Sequence, residues 1–469
     1  MITNSGAAGA LDSDRYNKGY VWMISVVAAF GGLLFGYDFV VIGGAKPFYE
    51  KFFSLMDPAA QGWAMSCALI GCLFGALIAG PASDRWGRKY LLILSAFLFG
   101  VSSIATGYAP SYNFFIFWRI VGGLAIGLAS GLSPLYIAEV SPAKVRGRLV
   151  SLNQFTVVIG ILLAQIVNYL IAEPVPEGAT ADQILNSWNG QTGWRWMFAV
   201  TAVPSVLFFA SALFIPESPR WLAKKGRKEE ARKILGKIFG DHADHVLKDV
   251  ESTIHSGDDS VNWSALKEPK VKNALVIGIA LAVFQQWCGI NVIFNYAEEI
   301  FASAGYSVSG ILFNIVITGI VNVAATIAAL ALVDKLGRRA LMLWGSAALA
   351  VVYVILGACY HYHVTGIAVL ILVLLAIACY GVSLAPVVWV VISEIFPNRI
   401  RGVAMSIAVG ALWVACFVLT YTFPIMNKAL GAAGTFWIYA GICALGFAFT
   451  YQRLPETKGK TLEEIEESF

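Results

Sequence analysis

Long apolar runs separated by short polar segments dominate this sequence. A helix needs about 20 mainly apolar residues to cross a bilayer, and twelve runs approach or exceed that length. The pattern therefore predicts an all-α membrane protein with twelve transmembrane helices. The predicted spans are 21–42, 62–81, 90–108, 112–136, 150–171, 194–215, 274–301, 308–333, 341–360, 366–392, 403–423 and 435–451.

One long polar segment divides these runs into two groups of six. It covers 216–272 and holds 22 of the 62 charged residues, which is typical of a solvated linker with short amphipathic helices. We therefore expect an N-terminal six-helix half over 1–215 and a C-terminal six-helix half over 273–453. The remaining residues, 454–469, are predicted to form a tail.

The composition agrees with a chain surrounded by lipid. Hydrophobic residues make up 58% and charged residues 13% of the chain, whereas a soluble domain carries about 25% charged residues. These values exclude a soluble enzyme and a disordered chain, and the net charge of +4 gives no indication of nucleic-acid binding. The seven cysteines lie in apolar runs without metal-ligand spacing, so we expect neither a metal nor another cofactor.

The distribution of Lys and Arg predicts the orientation of the helices. With the N-terminus placed in the cytoplasm, 28 of the 33 Lys and Arg residues fall in segments on that side. Cytoplasmic loops carry such an excess of positive charge. Both termini are therefore expected in the cytoplasm.

Matching loop motifs recur in the two halves. The run from Asp84 to Lys89 returns as Asp334 to Arg339, 250 residues later, between the second and third spans of each half. A Glu and an Arg after the fourth span return 255 residues later, and a Pro-Glu pair follows the sixth span of each half. This order predicts two parallel six-helix pseudo-repeats, as in several transporter folds.

The charged residues of these motifs are candidates for a cytoplasmic gate. Opposite charges at the inner helix ends would lock the halves together and separate when the halves rock apart. The alternative is that the cations fix the topology and the acids are simply solvated. The candidate gate residues are Asp84, Arg85, Arg88, Glu139, Arg146, Glu217, Arg220, Asp334, Arg338, Arg339, Glu394 and Arg401.

Amide side chains within the predicted spans are candidates for binding a polyhydroxylated ligand, because an amide supplies both a donor and an acceptor without net charge. They are few, and four of them occur within eleven residues of span seven. These four share one cavity only if the helix breaks at Gly289. The alternative role is hydrogen bonding between helices. The amides are Gln154 and Gln165 in span five, and Gln285, Gln286, Asn291 and Asn295 in span seven.

Asp38 is the only carboxylate deep within span one, and Arg119 is the only cation well inside the spans. A charge at membrane depth is costly, so such a residue is a functional candidate. Protonation of Asp38 would weaken its pairing with Arg119 and create two states that depend on pH. A static structural ion pair is the alternative.

Taken together, these motifs resemble the sugar porter family of the major facilitator superfamily, in particular bacterial proton–xylose symporters and facilitative glucose transporters. The resemblance covers nearly the whole chain. It rests on residues 80–89, Arg119 with Gly123 and Gly127, the segments 134–148 and 216–221, the Gln-Gln-x-x-Gly-x-Asn motif at 285–291, and the segments 334–339 and 455–459. It implies the major facilitator fold, a sugar site between the halves and alternating access.

The resemblance also implies roles for individual residues. Proton-coupled members carry Asp at the position of Asp38, where facilitators usually have Asn. Asn295 and Cys416 depart from the family pattern, as does Leu412, and these departures point to an altered sugar specificity. The residues that match sugar-binding or lining positions are Gln154, Gln285, Gln286, Asn291, Trp389, Trp413, Phe35 and Tyr380, and Asn295 adds a polar group.

The sequence therefore predicts a proton-coupled symporter for a monosaccharide, a pentose or hexose such as xylose or glucose. The alternatives are a facilitative sugar uniporter and a proton-coupled polyol or inositol porter. An enzyme is not expected, because no His and no cluster of catalytic residues lies within the spans. The expected partners are a sugar, a proton and the lipid bilayer, without nucleic acid. The expected form is a monomer in a bacterial inner membrane.

Overall fold

The computed structural model describes residues 16–176, 178–256, 268–396 and 401–458, and this part of the chain is helical, without a β-strand. Helices satisfy their own backbone hydrogen bonds, as lipid requires. The helices are α1 (Lys18–Phe52), α2 (Pro58–Trp86), α3 (Arg88–Gly107), α4 (Tyr112–Val140), α5 (Ala143–Ile171), α6 (Ala181–Asn186), α7 (Trp194–Ala199), α8 (Ala202–Ala212), α9 (Pro219–Lys224), α10 (Lys228–Phe239), α11 (Ala243–Ser256), α12 (Pro269–Trp287), α13 (Ile290–Asn295), α14 (Ala297–Ser303), α15 (Val308–Leu336), α16 (Arg338–His361), α17 (Ile367–Val382), α18 (Leu384–Ile395) and α19 (Arg401–Arg453).

Eleven helical stretches in the described residues are long and apolar enough to cross a membrane. The last of them, Val403–Arg453, has 51 residues and contains the non-helical Gly431, with φ 68°. It therefore supplies two spans, and the predicted number of twelve is confirmed.

Spans seven and ten are each broken by a residue with non-helical backbone angles. Span seven is interrupted at Gly289, whose φ of 87° is left-handed, and this separates α12 from α13. A Cβ there would also lie 2.8 Å from the ring of Tyr439. Span ten is interrupted at Ser383, where α17 ends and α18 begins. Pro386 lies in the first turn of α18, a position that tolerates a residue without an N–H group. The break expected at Gly289 is confirmed.

The first six and the last six spans pack against each other along two helix pairs, α2 with α19 and α5 with α15. Within the first six, α2 and α4 approach closely because glycine faces backbone. A Cβ on Gly123 would lie 1.9 Å from the carbonyl oxygen of Ala68, and one on Gly127 would lie 2.2 Å from that of Cys72. Small residues permit this backbone approach between membrane helices.

The linker helices α9 to α11 cover one end of the helix bundle, which we call the linker face. The indole N–H of Trp221 donates to the carbonyl oxygen of Asp84 at 3.0 Å, and the Tyr136 hydroxyl donates to that of Pro216 at 2.8 Å. The backbone N–H of Asn17 also donates to Ile238 in α10. The opposite end, where α1 ends and α14 and α15 begin, is called the far face.

Candidate functional site

A cavity lies between α1, α2, α4 and α13, at the junction of the first six and the last six spans. It brings together two residues predicted to contact sugar, Phe35 and Asn295, with the predicted proton pair, Asp38 and Arg119. The other lining residues are apolar or weakly polar: Phe39, Ile42, Met65, Ala68, Leu69, Cys72 and Ile126.

The Asp38–Arg119 pair is buried in this cavity wall. An Nη1 hydrogen of Arg119 donates to Oδ1 of Asp38 at 2.5 Å, and the two residues are 4% and 6% exposed, respectively. The guanidinium also lies over the ring of Phe198, 5.6 Å from its centroid. A buried pair of this kind is strongly destabilised when one partner loses its charge. The predicted pairing of Asp38 with Arg119 is therefore present and buried.

The break at Gly289 brings the amides of span seven together. The amide of Asn291 in α13 donates to Oε1 of Gln286 in α12 across the break. Gln285 accepts from the amide of Gln286 at 3.5 Å, and its own amide donates to the carbonyl oxygens of Leu384 and Ala385 at 3.1 and 3.0 Å. In this conformation Gln285 therefore joins span seven to the start of α18, which is the helix-to-helix role considered above.

Buried polar atoms near the cavity without a hydrogen-bond partner among the described residues include the Oδ1 of Asn295, the indole N–H of Trp413 and the Nε–H of Arg119. Trp413 is 4% exposed, and its ring lies 5.6 Å from that of Phe35, which lines the cavity. Buried polar groups are nearly always hydrogen-bonded. An unpaired acceptor and an unpaired donor beside an aromatic pair are suited to a ligand rich in hydroxyl groups.

Of the predicted sugar residues, only Phe35 and Asn295 line this cavity. Gln154 on α5 and Tyr380 on α17 are half-buried. Trp389 on α18 is 37% exposed, the most open side chain of the predicted set.

The structure adds residues that the sequence analysis passed over. The spans contain more buried amides than the predicted set, because Asn168, Asn314 and Asn322 are also buried there. Asn168 donates to the carbonyl oxygen of Val41 at 3.0 Å. The signal for Asn314 and Asn322 was an isolated amide in an apolar run. No sequence signal identified the cavity residues Met65, Leu69 and Ile126, because an apolar residue in an apolar helix does not stand out from its neighbours.

A cluster of charges lies on the linker face of the first six spans. The guanidinium of Arg88 donates to both carboxylate oxygens of Glu139 at 3.0 Å and to Asp84 at 3.1 Å. The backbone N–H groups of Arg88 and Lys89 donate to Glu217, so this carboxylate lies at the N-terminus of α3. Helix N-termini attract negative charge. Burial raises the pKa of Glu217, and the N–H donors oppose that shift.

The last six spans repeat this arrangement. Arg338 donates to Glu394 at 3.2 Å, and the backbone N–H groups of Arg338 and Arg339 donate to Glu456 at 3.0 and 3.1 Å. For Glu456, burial favours a higher pKa, but the backbone N–H donors outweigh it and the pKa is lowered. A glycine with a left-handed φ precedes each of these helices, Gly87 before α3 and Gly337 before α16. The duplicated motifs thus have duplicated contacts.

These contacts differ from the expected lock between the halves. The ion pairs described for Arg88 and Arg338 join elements of the same half, because each Arg follows a glycine turn next to its own half's Glu. Asp84 also pairs with Lys224 of the linker at 3.9 Å. Arg146 and Arg220 are exposed, and Arg85 lies over the ring of Trp86. The side chains of Asp334 and Arg401 lie outside the described part of the structure.

We expect Arg88→Met to destabilise the protein strongly. Glu139 would then remain largely buried without its cation, and breaking a buried pair in this way costs about 3 kcal/mol. The thermal unfolding midpoint in detergent measures the effect. Arg227→Met is the matched control, since its pair with Glu230 is exposed, and exposed pairs contribute little. Equal losses in the two variants would contradict the structural role of the Arg88 cluster.

Comparison with known proteins places this architecture among transporters. A family model described as "Sugar (and other) transporter" matches residues 24–469. The D-xylose-proton symporter of Escherichia coli (strain K12) is 38% identical over 486 residues, covering 96% of each chain. The arabinose-proton symporter of Bacillus subtilis (strain 168) is 41% identical over 453 residues, covering 96% of this chain and 95% of the relative. The inward-open structure of the E. coli xylose transporter XylE superposes with a TM-score of 0.84 at 36% identity, over 96% of this chain and 100% of that chain.

Proposed function

The chain belongs to the sugar transporter family, and on that premise we propose that it is a proton-coupled monosaccharide symporter that works by alternating access. The observation that carries this proposal is the cavity shared by the Asp38–Arg119 pair and Asn295. A change of protonation at Asp38 and the binding of a sugar at Asn295 act on the same small volume. Each event therefore alters the energy of the other, which is the requirement for coupling.

The sugar site in this proposal lies at the junction of the halves. Asn295 supplies an acceptor, Trp413 a donor, and the Gln286–Asn291 pair both kinds of group. The rings of Phe35 and Trp413 offer apolar faces to the C–H side of a sugar. Gln285 positions α18, and Gln154, Tyr380 and Trp389 come into contact with the sugar only as the halves move.

The division into moving parts follows the predicted boundaries. We propose that 1–215 and 273–453 rock as two units, joined by the linker 216–272, with the tail 454–469 on the same side as the linker. The linker face then lies in the cytoplasm, as the excess of Lys and Arg favours. The relatives support a bacterial inner membrane. All site residues come from one chain, so a monomer is sufficient for transport. No catalytic role is proposed for any residue.

The relatives support a monosaccharide as substrate, since one is named for xylose and another for arabinose. Asn295 departs from the family pattern, and its amide changes the polar groups that meet the sugar. Sites that hydrogen-bond a substrate discriminate by whether every group is satisfied. The specificity of this chain is therefore expected to differ from that of the xylose relative.

Uptake by proteoliposomes tests the function directly. The purified protein is offered a panel of radiolabelled pentoses, hexoses and polyols, with and without an imposed proton gradient. We expect accumulation of one or more monosaccharides above equilibrium only when the gradient is present. Equal uptake in both conditions would indicate a uniporter, and accumulation of polyols alone would indicate a polyol porter. Either result would overturn the proposal.

A further inference from the structure

Another buried ionic cluster lies on the far face, one helical turn along α1 from the cavity residue Ile42 and apart from both clusters of the linker face. The ammonium of Lys46 on α1 lies 2.5 Å from a carboxylate oxygen of Glu299 and 3.7 Å from one of Glu298, both in the first turn of α14. It also donates to Glu50, one turn along α1, at 3.0 Å. Lys46 is 2% exposed. Its salt bridges therefore join the first six spans to the last six.

The surroundings of Lys46 are tightly closed. A Cβ on Gly43, one turn before Lys46, would lie 2.9 Å from the carbonyl oxygen of Asn295 at the end of α13. Nearby on the same face, the backbone N–H of Val175 donates to the hydroxyl of Ser309 at 3.1 Å, which also joins the two halves. The far face is therefore packed shut in this conformation, with Lys46 at the contact between α1 and α14.

The charges in this cluster are unbalanced. One ammonium faces three carboxylates, and Oε1 of Glu50 and Oε2 of Glu299 are buried without a hydrogen-bond partner among the described residues. The ring of Tyr296 lies 5.7 Å from the ammonium. The neighbouring cation on α1, Lys51, donates to the carbonyl oxygen of Pro47 on its own helix. Lys46 thus holds together acids of both halves that would otherwise repel one another.

We propose that Lys46, with Glu298 and Glu299, is the gate that holds the far face closed. The proposal rests on the proposed function, in that it assumes a transporter that opens to both sides. When α14 moves away from α1, Lys46 keeps Glu50, because both residues belong to the same helix. Glu298 and Glu299 then become hydrated. Lys46 therefore always keeps a carboxylate partner, and only its salt bridges to Glu298 and Glu299 in the other half are broken.

Hydrogen–deuterium exchange of the full chain in lipid nanodiscs tests the gate without sugar and without a proton gradient. In Lys46→Met, repulsion among the three carboxylates opens the far face. We expect exchange to rise at least threefold in 40–53 and 290–303. Exchange in 84–92 and 136–150 on the linker face falls, because opening one face closes the other. A general loss of stability would instead raise exchange at both faces and would overturn the proposal.

Three further variants complete the test. Lys51→Met is the matched control and leaves exchange unchanged at both faces, since Lys51 bonds only its own helix in the structure. Glu299→Gln produces the same opposite changes as Lys46→Met with smaller amplitude, because Glu50 still neutralises Lys46. This variant answers the question if Lys46→Met does not fold.

The charge-reversed double variant Lys46→Glu with Glu299→Lys restores the exchange pattern of the unchanged protein. A double variant that exchanges like Lys46→Glu alone would overturn the gate. The measurement uses neither sugar nor a proton gradient. The gate can therefore be tested even if the proposed sugar or proton specificity is wrong.

Discussion

Asp38→Asn is expected to abolish accumulation of sugar against a gradient while leaving sugar exchange largely intact. The amide is nearly the same size as the carboxylate and keeps a hydrogen bond to Arg119, but it carries no exchangeable charge. One charge moving through 100 mV supplies about 2.3 kcal/mol, which corresponds to roughly 50-fold accumulation. Asp38→Asn loses this entire driving force. Uptake and counterflow in the same proteoliposomes separate the two activities.

Asp57→Asn serves as the control for Asp38→Asn. Asp57 precedes α2, is exposed and makes no side-chain cap to its helix, so uptake and exchange stay at the level of the unchanged protein. Accumulation that persists in Asp38→Asn would show that the proton is carried elsewhere. Loss of both uptake and exchange would show that the pair with Arg119 is only structural.

Substitution of Trp413 is expected to weaken sugar binding in two steps. Trp413→Phe removes the unpaired indole N–H but keeps a ring beside Phe35. One hydrogen bond is worth about 1 kcal/mol, so the half-saturation concentration rises about fivefold. Trp413→Ala also removes the apolar face, and we expect a rise of roughly 30- to 100-fold. Initial uptake rates over a range of sugar concentrations give these values.

Trp287→Phe is the matched control for the Trp413 series. Its indole N–H already has a partner, the carbonyl oxygen of Ala415 at 3.0 Å, and Trp287 is 37% exposed, whereas Trp413 is buried. We expect its half-saturation concentration to change less than twofold. If the Trp413 variants lower only the maximal rate, or if Trp287→Phe has an equal effect, Trp413 does not bind the sugar.

The sequence was most informative about features that depend on one physical requirement shared by all segments, the need to be stable in lipid. A bilayer imposes one length on every apolar run, so the twelve spans were countable even though only the non-helical Gly431 divides the last two within α19. Burial of charge in lipid is so unfavourable that Asp38 and Arg119 were identifiable as a pair from their isolation alone. Gly289 was recognised because the amides on either side of it needed a break to share one cavity.

The sequence was least informative about contacts between spans. The duplicated motifs predicted where charges lie but placed their pairing between the halves, whereas Arg88 and Arg338 each bond a Glu of their own half. Lys46 lies beyond the predicted end of the first span at residue 42, but α1 continues to Phe52 and Lys46 is buried against α14, more than 250 residues later in the chain. Neither result follows from spacing, because the partners are distant in sequence.

The sequence by itself thus determined the membrane class, the number of spans, the repeat and the residue pair suited to a proton. These depend on solvation energies that each segment experiences independently of the others. Only the tertiary structure decided that Asn295 shares a cavity with Asp38, that Gln285 bonds the backbone of α18, and that Lys46 joins the halves. These depend on the packing of helices against one another, where small residues such as Gly43 and Gly123 set the approach of the backbones.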